Sequence, residues 1–285
     1  MNWIWLTAFS VIFRAIYGVM TKVLSNKLHT SPYTQAVLLS FSGGIISLAL
    51  SPLFGGLQLH FEGVSLVAVL LVILGQGLGN VVYFAAIRNL TNGTAQIAFS
   101  SILIFNTVLS FAFLNLHLNA INLVGLMLLM LAIVTVTTGK IEFHKKGVVL
   151  MILAALLFSI FQLASAKLSK QVGASTYLLV AYFGAALIIF LLKAKVIVKD
   201  ITTNKELKLL LGIPLLTALP SIGNFLFAYL AYRSAPQPAK VAMLLTSQVV
   251  ITVLLSYFFL KEKDHLPRKV GASILVLISA VLIKS

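Results

Sequence analysis

Apolar residues dominate ten stretches of the chain, at roughly 3–23, 33–53, 65–87, 94–114, 120–139, 147–167, 175–193, 208–231, 239–259 and 267–283. A helix needs ~20 apolar residues to cross the hydrocarbon core of a bilayer, and the stretches mostly meet that length. The pattern predicts ten membrane-spanning helices. An outer-membrane barrel would instead show short segments alternating between polar and apolar. Connections are short except at 193–208, expected as a loop, which holds Lys193, Lys195, Lys199, Asp200, Lys205 and Glu206. The first stretch follows Met1-Asn2-Trp3 with no basic leader or small-residue cleavage site, so it is expected to be a retained span and not a signal peptide.

Within the stretches, polar residues recur three or four positions apart, the spacing of one helix face. Span 1 carries Ser10, Arg14, Tyr17 and Thr21, and span 3 carries Gln76, Asn80 and Tyr83. Span 4 has Gln96, Ser100, Thr107 and Ser110; span 6 has Ser159, Gln162 and Ser169. Span 8 places Asn224 one turn past Pro220, and span 9 holds Thr246, Ser247, Gln248 and Thr252. Spans 2, 5, 7 and 10 carry fewer deep polar groups, mainly Gln35 and Ser/Thr. Spans 1, 3, 4, 6, 8 and 9 are therefore expected to line a central cavity, with the others peripheral. Such side chains also tie packed helices together, at ~0.6 kcal/mol each, and Asn80 and Asn224 fit either use.

The chain repeats itself. Gly79-Asn80 corresponds to Gly223-Asn224 at an offset of 144, Phe13 and Lys22 to Phe158 and Lys167 at 145, and Gly125 to Gly271 at 146. Tyr33 matches Tyr177, Ala95 and Ala98 match Ala239 and Ala242, and Leu116 matches Leu260, all at 144. Five spans per half is an odd number, so the second half must enter the membrane from the opposite side. The expected fold is an all-α polytopic membrane protein of ten transmembrane helices in two inverted five-helix repeats, 1–140 and 141–285, with the substrate site near the midplane between them.

Composition agrees: 60% of residues are hydrophobic, 9% are charged, and mean hydropathy is +1.07. The 21 Lys+Arg against 6 Asp+Glu would suggest nucleic acid in a soluble protein, but here the basic residues sit mostly in loops, where they set topology. Fifteen fall in loops after spans 1, 3, 5, 7 and 9, and five on the other side. The odd-numbered loops are expected to be cytoplasmic and both termini outside. Cysteine is absent, which removes disulfides, zinc–thiolate sites and thiol nucleophiles.

Arg14 lies about eleven residues into span 1, where a charge costs from ~2.5 to over ~10 kcal/mol. Glu62, Glu142, Asp200, Glu206, Glu262 and Asp264 are all read as lying in loops or at their edges, leaving Arg14 no acidic partner in a span. It is expected either to bind an anionic group of a solute through charge-assisted hydrogen bonds or to be held structurally by carbonyls and amides. His29, His60, His117, His144 and His265 also fall at loops, so no proton relay or intramembrane catalytic set is visible. No enzyme activity, cofactor or metal is expected. The residues expected to touch a solute are Arg14, Tyr17, Gln76, Asn80, Tyr83, Gln96, Ser100, Gln162, Asn224 and Gln248. Tyr229 and Tyr232 are further candidates for aromatic walls. Pro220 and Gly79 are expected bending points for gating, because proline removes a backbone donor.

The tract from Tyr229 to Met243 reads Tyr-Leu-Ala-Tyr-Arg-Ser-Ala-Pro-Gln-Pro-Ala-Lys-Val-Ala-Met. It is followed by Phe258-Phe-Leu-Lys-Glu-Lys263, then Gly271 and a final span rich in small residues. This resembles the EamA-type ten-helix branch of the drug/metabolite transporter superfamily, with its Pro/Ala turn, helix, "FLxE" loop and closing helix. The first half keeps Leu116 but has Leu118 where the acidic residue falls. The resemblance implies an inverted-repeat bundle with a central cavity, and transport of small metabolites, commonly amino acid export across a bacterial inner membrane. Related four-helix multidrug exporters use a first-helix glutamate for cationic drugs. Here the first span has Arg14 and no glutamate, which points to a solute with an anionic part. Facilitated diffusion or exchange by a monomer is expected, with the bilayer and a small solute as partners and no nucleic acid. A lipid flippase is the alternative, distinguished by a groove open to lipid.

Overall fold

The computed structural model describes residues 2–57, 63–114, 119–137, 145–204, 211–236, 241, 244–245, 247–263 and 265–284. Glu62, Glu142, Glu206, Asp264, His60, His117, His144, Leu116, Leu118, Ala239, Ala242 and Thr246 lie outside the described residues, as does the side chain of Ser110.

Span 1 is α1 (Trp3–Lys27), started by Asn2, whose side chain accepts from the Ile4 amide. Span 2 is α2 (Pro32–Leu50), capped by Ser31 with proline in its first turn. Span 3 is α3 (Leu66–Ile87). Span 4 is split into α4 (Asn92–Phe99) and α5 (Ile102–Leu114). Span 5 is α6 (Ala120–Thr137) and span 6 is α7 (Lys145–Leu168). Span 7 combines α8 (Ala174–Leu179), a π-turn at Val180–Gly184 and α9 (Ala185–Thr203). Span 8 is α10 (Gly212–Ser234), and α11 (Gln248–Phe259) and α12 (Leu266–Lys284) belong to spans 9 and 10.

The packing obeys the two-fold relation between the halves. The most extensive contacts join α3 to α7, that is spans 3 and 6, and α1 to α10, spans 1 and 8. Exchanging the halves turns one pair into the other. The remaining equivalent spans pair across the axis, α2 with α9, α6 with α12 and α4 with α11. Two residues of the repeat explain the main pairs. A Cβ at Gly79 would lie 3.1 Å from the Phe158 ring, and one at Gly223 would lie 2.6 Å from the Phe13 ring. Each half thus contributes a phenylalanine that seats in the glycine notch of the other.

Burial varies between helices: within its apolar stretch, 61% of α10 is buried in the protein against 33% of α12, while span 7, expected to be peripheral, is as buried as α3 and α7. Large apolar side chains such as Met127, Leu191 and Phe259 stay outward, where the hydrocarbon of a bilayer satisfies them.

Two sequence expectations change. The connection at 193–208 is helical through Thr203, with non-helical angles at Lys193 (φ −140°, ψ 31°) marking a kink. Asp200 therefore sits on a helix and not in a loop. Spans 4 and 9 are interrupted. At the first break the Ser101 amide bonds the carbonyl three residues back, on Ala98, and the Leu103 amide bonds that of Ser100. In span 9 the amides of Ser247 and Val250 do the same with Leu244 and Ser247. Pro220 and Gly79, the expected bending points, lie inside α10 and α3, each continuous in this conformation.

Candidate functional site

A cavity of about 50 Å³ lies between the halves. Span 1 supplies Arg14, Tyr17 and Gly18, span 3 Tyr83, and span 4 Gln96 and Phe99. From the second half come Phe158, Phe161, Gln162 and Ser165 of span 6, Tyr177 of span 7, Asn224, Phe225, Ala228 and Tyr232 of span 8, and Leu245 and Gln248 of span 9. Gly18 matters sterically, because a Cβ there would stand 3.1 Å from Gln96 Nε2. Its hydrogen lets the span 4 amide reach the cavity.

Arg14 makes no hydrogen bond or ion pair to any described residue. Its guanidinium carbon lies 5.5 Å from the centre of the Phe99 ring, a cation–π distance. The Phe99 ring meets Tyr83 and Phe158 edge to face, at 5.7 and 5.6 Å between centroids. The chain of rings continues from Phe158 through Phe161 to Phe225 and Tyr182. The wall thus crosses from one half to the other, held at Tyr182 by a 2.6 Å hydrogen bond to Ser221.

The amides are tied down from behind. Gln248 Nε2 donates to Gln96 Oε1 at 3.1 Å, bridging the two broken spans, and Gln96 Nε2 donates to the Tyr83 hydroxyl at 2.6 Å. Asn106 Nδ2 donates to Gln162 Oε1 at 2.9 Å, while Ser159 donates to Asn106 Oδ1 at 2.6 Å. Ser10 donates to the side-chain and main-chain oxygens of Asn224 at 2.9 Å.

Of the residues expected from the sequence, Arg14, Tyr17, Tyr83, Gln96, Gln162, Asn224 and Gln248 converge on the cavity. Three do not line it. Ser100 turns back to the Ile97 carbonyl of its own chain at 2.5 Å, as Ser247 does to Leu244 at the equivalent break. Both hydroxyls serve the interruption of the helix. Gln76 is buried outside the lining. Asn80 stands one layer behind it, accepting from the Tyr17 hydroxyl at 3.5 Å. Of the further aromatic candidates, Tyr232 lines the cavity, whereas Tyr229 is buried against Tyr177 and donates to the Val172 carbonyl. Span 7, expected to be peripheral, contributes Tyr177.

Sequence reasoning missed the phenylalanine wall, because hydropathy scores a lipid-facing and a cavity-facing Phe alike. It also missed Asn106. The signal was available, since Asn106 is a deep amide in an apolar span, three residues past Leu103.

Two halves related by a two-fold exchange enclose a cavity with polar groups at their interface, and seven of the described helices are long and apolar enough to cross a membrane. The EamA-like transporter family matches the chain twice, over residues 1–138 and 145–284. The chain belongs to that family, and the protein is an integral membrane transporter of the drug/metabolite type. A solved crystal structure of another protein shares the fold at 15% identity, with a TM-score of 0.66 over 98% of this chain and 97% of that one. No curated protein sequence matches significantly.

Proposed function

We propose that the protein is a secondary transporter of a small carboxylate-bearing solute, an amino acid or related metabolite. It moves the solute by alternating access, as a facilitator, exporter or exchanger. The observation that carries this reading is Arg14: a cavity-lining cation between the halves, stacked on Phe99 and without a counter-ion among the described residues. Burying a charge costs heavily unless it is paired, and a carboxylate arriving with the solute pairs it in bidentate fashion. The cavity lies between the two halves, where alternating access would expose it to one side and then the other. The described lining residues include no Asp, Glu or His, in keeping with transport that needs no obligatory proton coupling. The reading takes the odd-numbered loops as cytoplasmic, on the charge bias of the loops, and the membrane as a bacterial inner membrane, on the likeness to the family.

The test is counterflow in proteoliposomes against a panel of amino acids, organic acids, sugar phosphates and nucleotides. A carboxylate-bearing solute is expected to be accumulated, with Arg14→Gln lowering its uptake by roughly tenfold or more, the effect of losing a charged hydrogen-bond partner. Intact affinity and selectivity in Arg14→Gln would remove the reading.

A further inference from the structure

Arg14 is the one charged group among the described residues of the lining, and it brings up to five donors and no acceptor. The amides around it are neutral and partly used: Gln162 accepts from Asn106 at 2.9 Å, Gln96 from Gln248 at 3.1 Å, Gln248 from Thr252 at 3.5 Å, and Asn224 from Ser10 at 2.9 Å. Each of these oxygens keeps a second lone pair and each amide nitrogen at least one N–H. The Tyr232 hydroxyl in the lining, able to donate or accept, is buried and unpaired. No carboxylate stands among the described lining residues, and the Phe99 face that suits a cation is taken by Arg14 itself.

Such a surface gives a carboxylate a full positive charge and gives an ammonium group neutral oxygens only. An α-amino acid bound to Arg14 through its carboxylate would hold its ammonium within a few ångströms of the guanidinium, like charge facing like in a low-dielectric space. No carboxylate among the described lining residues would offset that repulsion. We infer that the site selects an oxo- or hydroxy-acid anion over the amino acid of the same carbon skeleton. The inference rests on the reading of Arg14 as the carboxylate-binding group and narrows the solute within it.

Matched pairs test it directly. The full-length protein in proteoliposomes is loaded with one member of each pair, and competition is measured for pyruvate against alanine, 2-oxoisovalerate against valine, and 2-oxoglutarate against glutamate. In any pair that is carried, the oxo acid is expected to compete roughly tenfold or more better, because the ammonium would lie beside the guanidinium with no carboxylate to pair it. Gln162→Glu puts a carboxylate into the lining and is expected to shift the preference toward the amino acid. The wild-type comparison stands whether or not that variant folds. An amino acid that competes equally or better, with its binding still lost in Arg14→Gln, overturns the inference and leaves the carboxylate reading in place. If no carboxylate of either kind is carried, both fall.

Discussion

A methyl group added at Gly75 would lie 2.9 Å from Phe161 Cβ and 3.0 Å from the Leu157 carbonyl oxygen. Neither atom can swing away, since one is fixed to the backbone and the other is part of it. Gly271 in α12 has nothing within 4 Å of the same position. Alanine favours a helix over glycine by about 1 kcal/mol, so helix propensity alone predicts that both Gly→Ala changes stabilise. Packing reverses the sign at one site. Gly75→Ala is expected to lower the thermal unfolding temperature in detergent and Gly271→Ala to leave it unchanged or raise it. Equal effects would remove the account of α3–α7 approach. The repeat matches Gly271 with Gly125, yet a Cβ at Gly125 would meet the Ser279 carbonyl oxygen at 3.0 Å. Two residues alike in the sequence thus do different work, because one lies at the α6–α12 contact and the other on the outer surface. Arg14 was legible as an exception in an apolar span, and its lack of an acidic partner followed from where the six carboxylates fall. The ring wall was not legible. Phe99, Phe158, Phe161 and Phe225 look in sequence like the outward-facing Phe41 or Phe259.

At the scale of elements, charge ties helix ends together on the side where the odd-numbered spans finish. Glu262, the glutamate of the Phe258–Lys263 tract, accepts from the amides of Asn92 and Gly93 at 2.6 and 3.1 Å, at the start of α4. Lys269 lies 3.8 Å from the same carboxylate. Asp200 does the equivalent for α2, accepting from the Ser31 amide at 2.8 Å and the Thr34 hydroxyl at 2.6 Å. Helix N-termini leave unsatisfied N–H groups and carry partial positive charge, so a carboxylate there fills both needs. Lys22 completes the pattern at a C-terminus, donating to the carbonyls of Ile87 and Leu90 at 2.7 Å. Arg88 donates to the Thr30 carbonyl. The opposite side is joined by neutral contacts, such as Gln171 to the Ser65 amide and Ser175 to the Ser51 carbonyl. Glu262→Ala leaves two amides and a lysine without their acceptor and is expected to cost about 1–3 kcal/mol. Thermal unfolding at two salt concentrations checks it: the variant should melt lower and lose part of the wild type's salt sensitivity, and an unchanged melting curve would sink the assignment. Helix number and order were legible from apolar length. The split of spans 4 and 9 and the π-turn in span 7 were not, because Ser100, Ser247 and the Val180–Gly184 stretch carry no proline or glycine cluster that sets them apart from unbroken helix.

Over the whole molecule, the two-fold relation appears in what touches what. Spans 1 and 8 pack as spans 6 and 3 do, and the Phe–Gly notches repeat at both contacts. The symmetry fails at the cavity, where Arg14 of the first half is matched by Ser159 of the second, which bonds Asn106 instead. A two-fold frame can open on either side, and an unsymmetrical lining gives one end of the solute a preferred partner. That a space between the halves existed was legible from the polar stripes. Its contraction to about 50 Å³ was not, since periodicity says which face turns inward and nothing of how far apart the faces stand. The central claim is that this space lies on the transport path. The chain contains no cysteine, so Gln162→Cys creates a single thiol in the lining without further changes. The decisive measurement is its labelling by a membrane-impermeant thiol reagent applied to one side of proteoliposomes and then to the other, with and without the transported carboxylate. The account predicts labelling from both sides, slowed by the solute. A thiol that reacts from neither side, or at a rate indifferent to the solute, would contradict it.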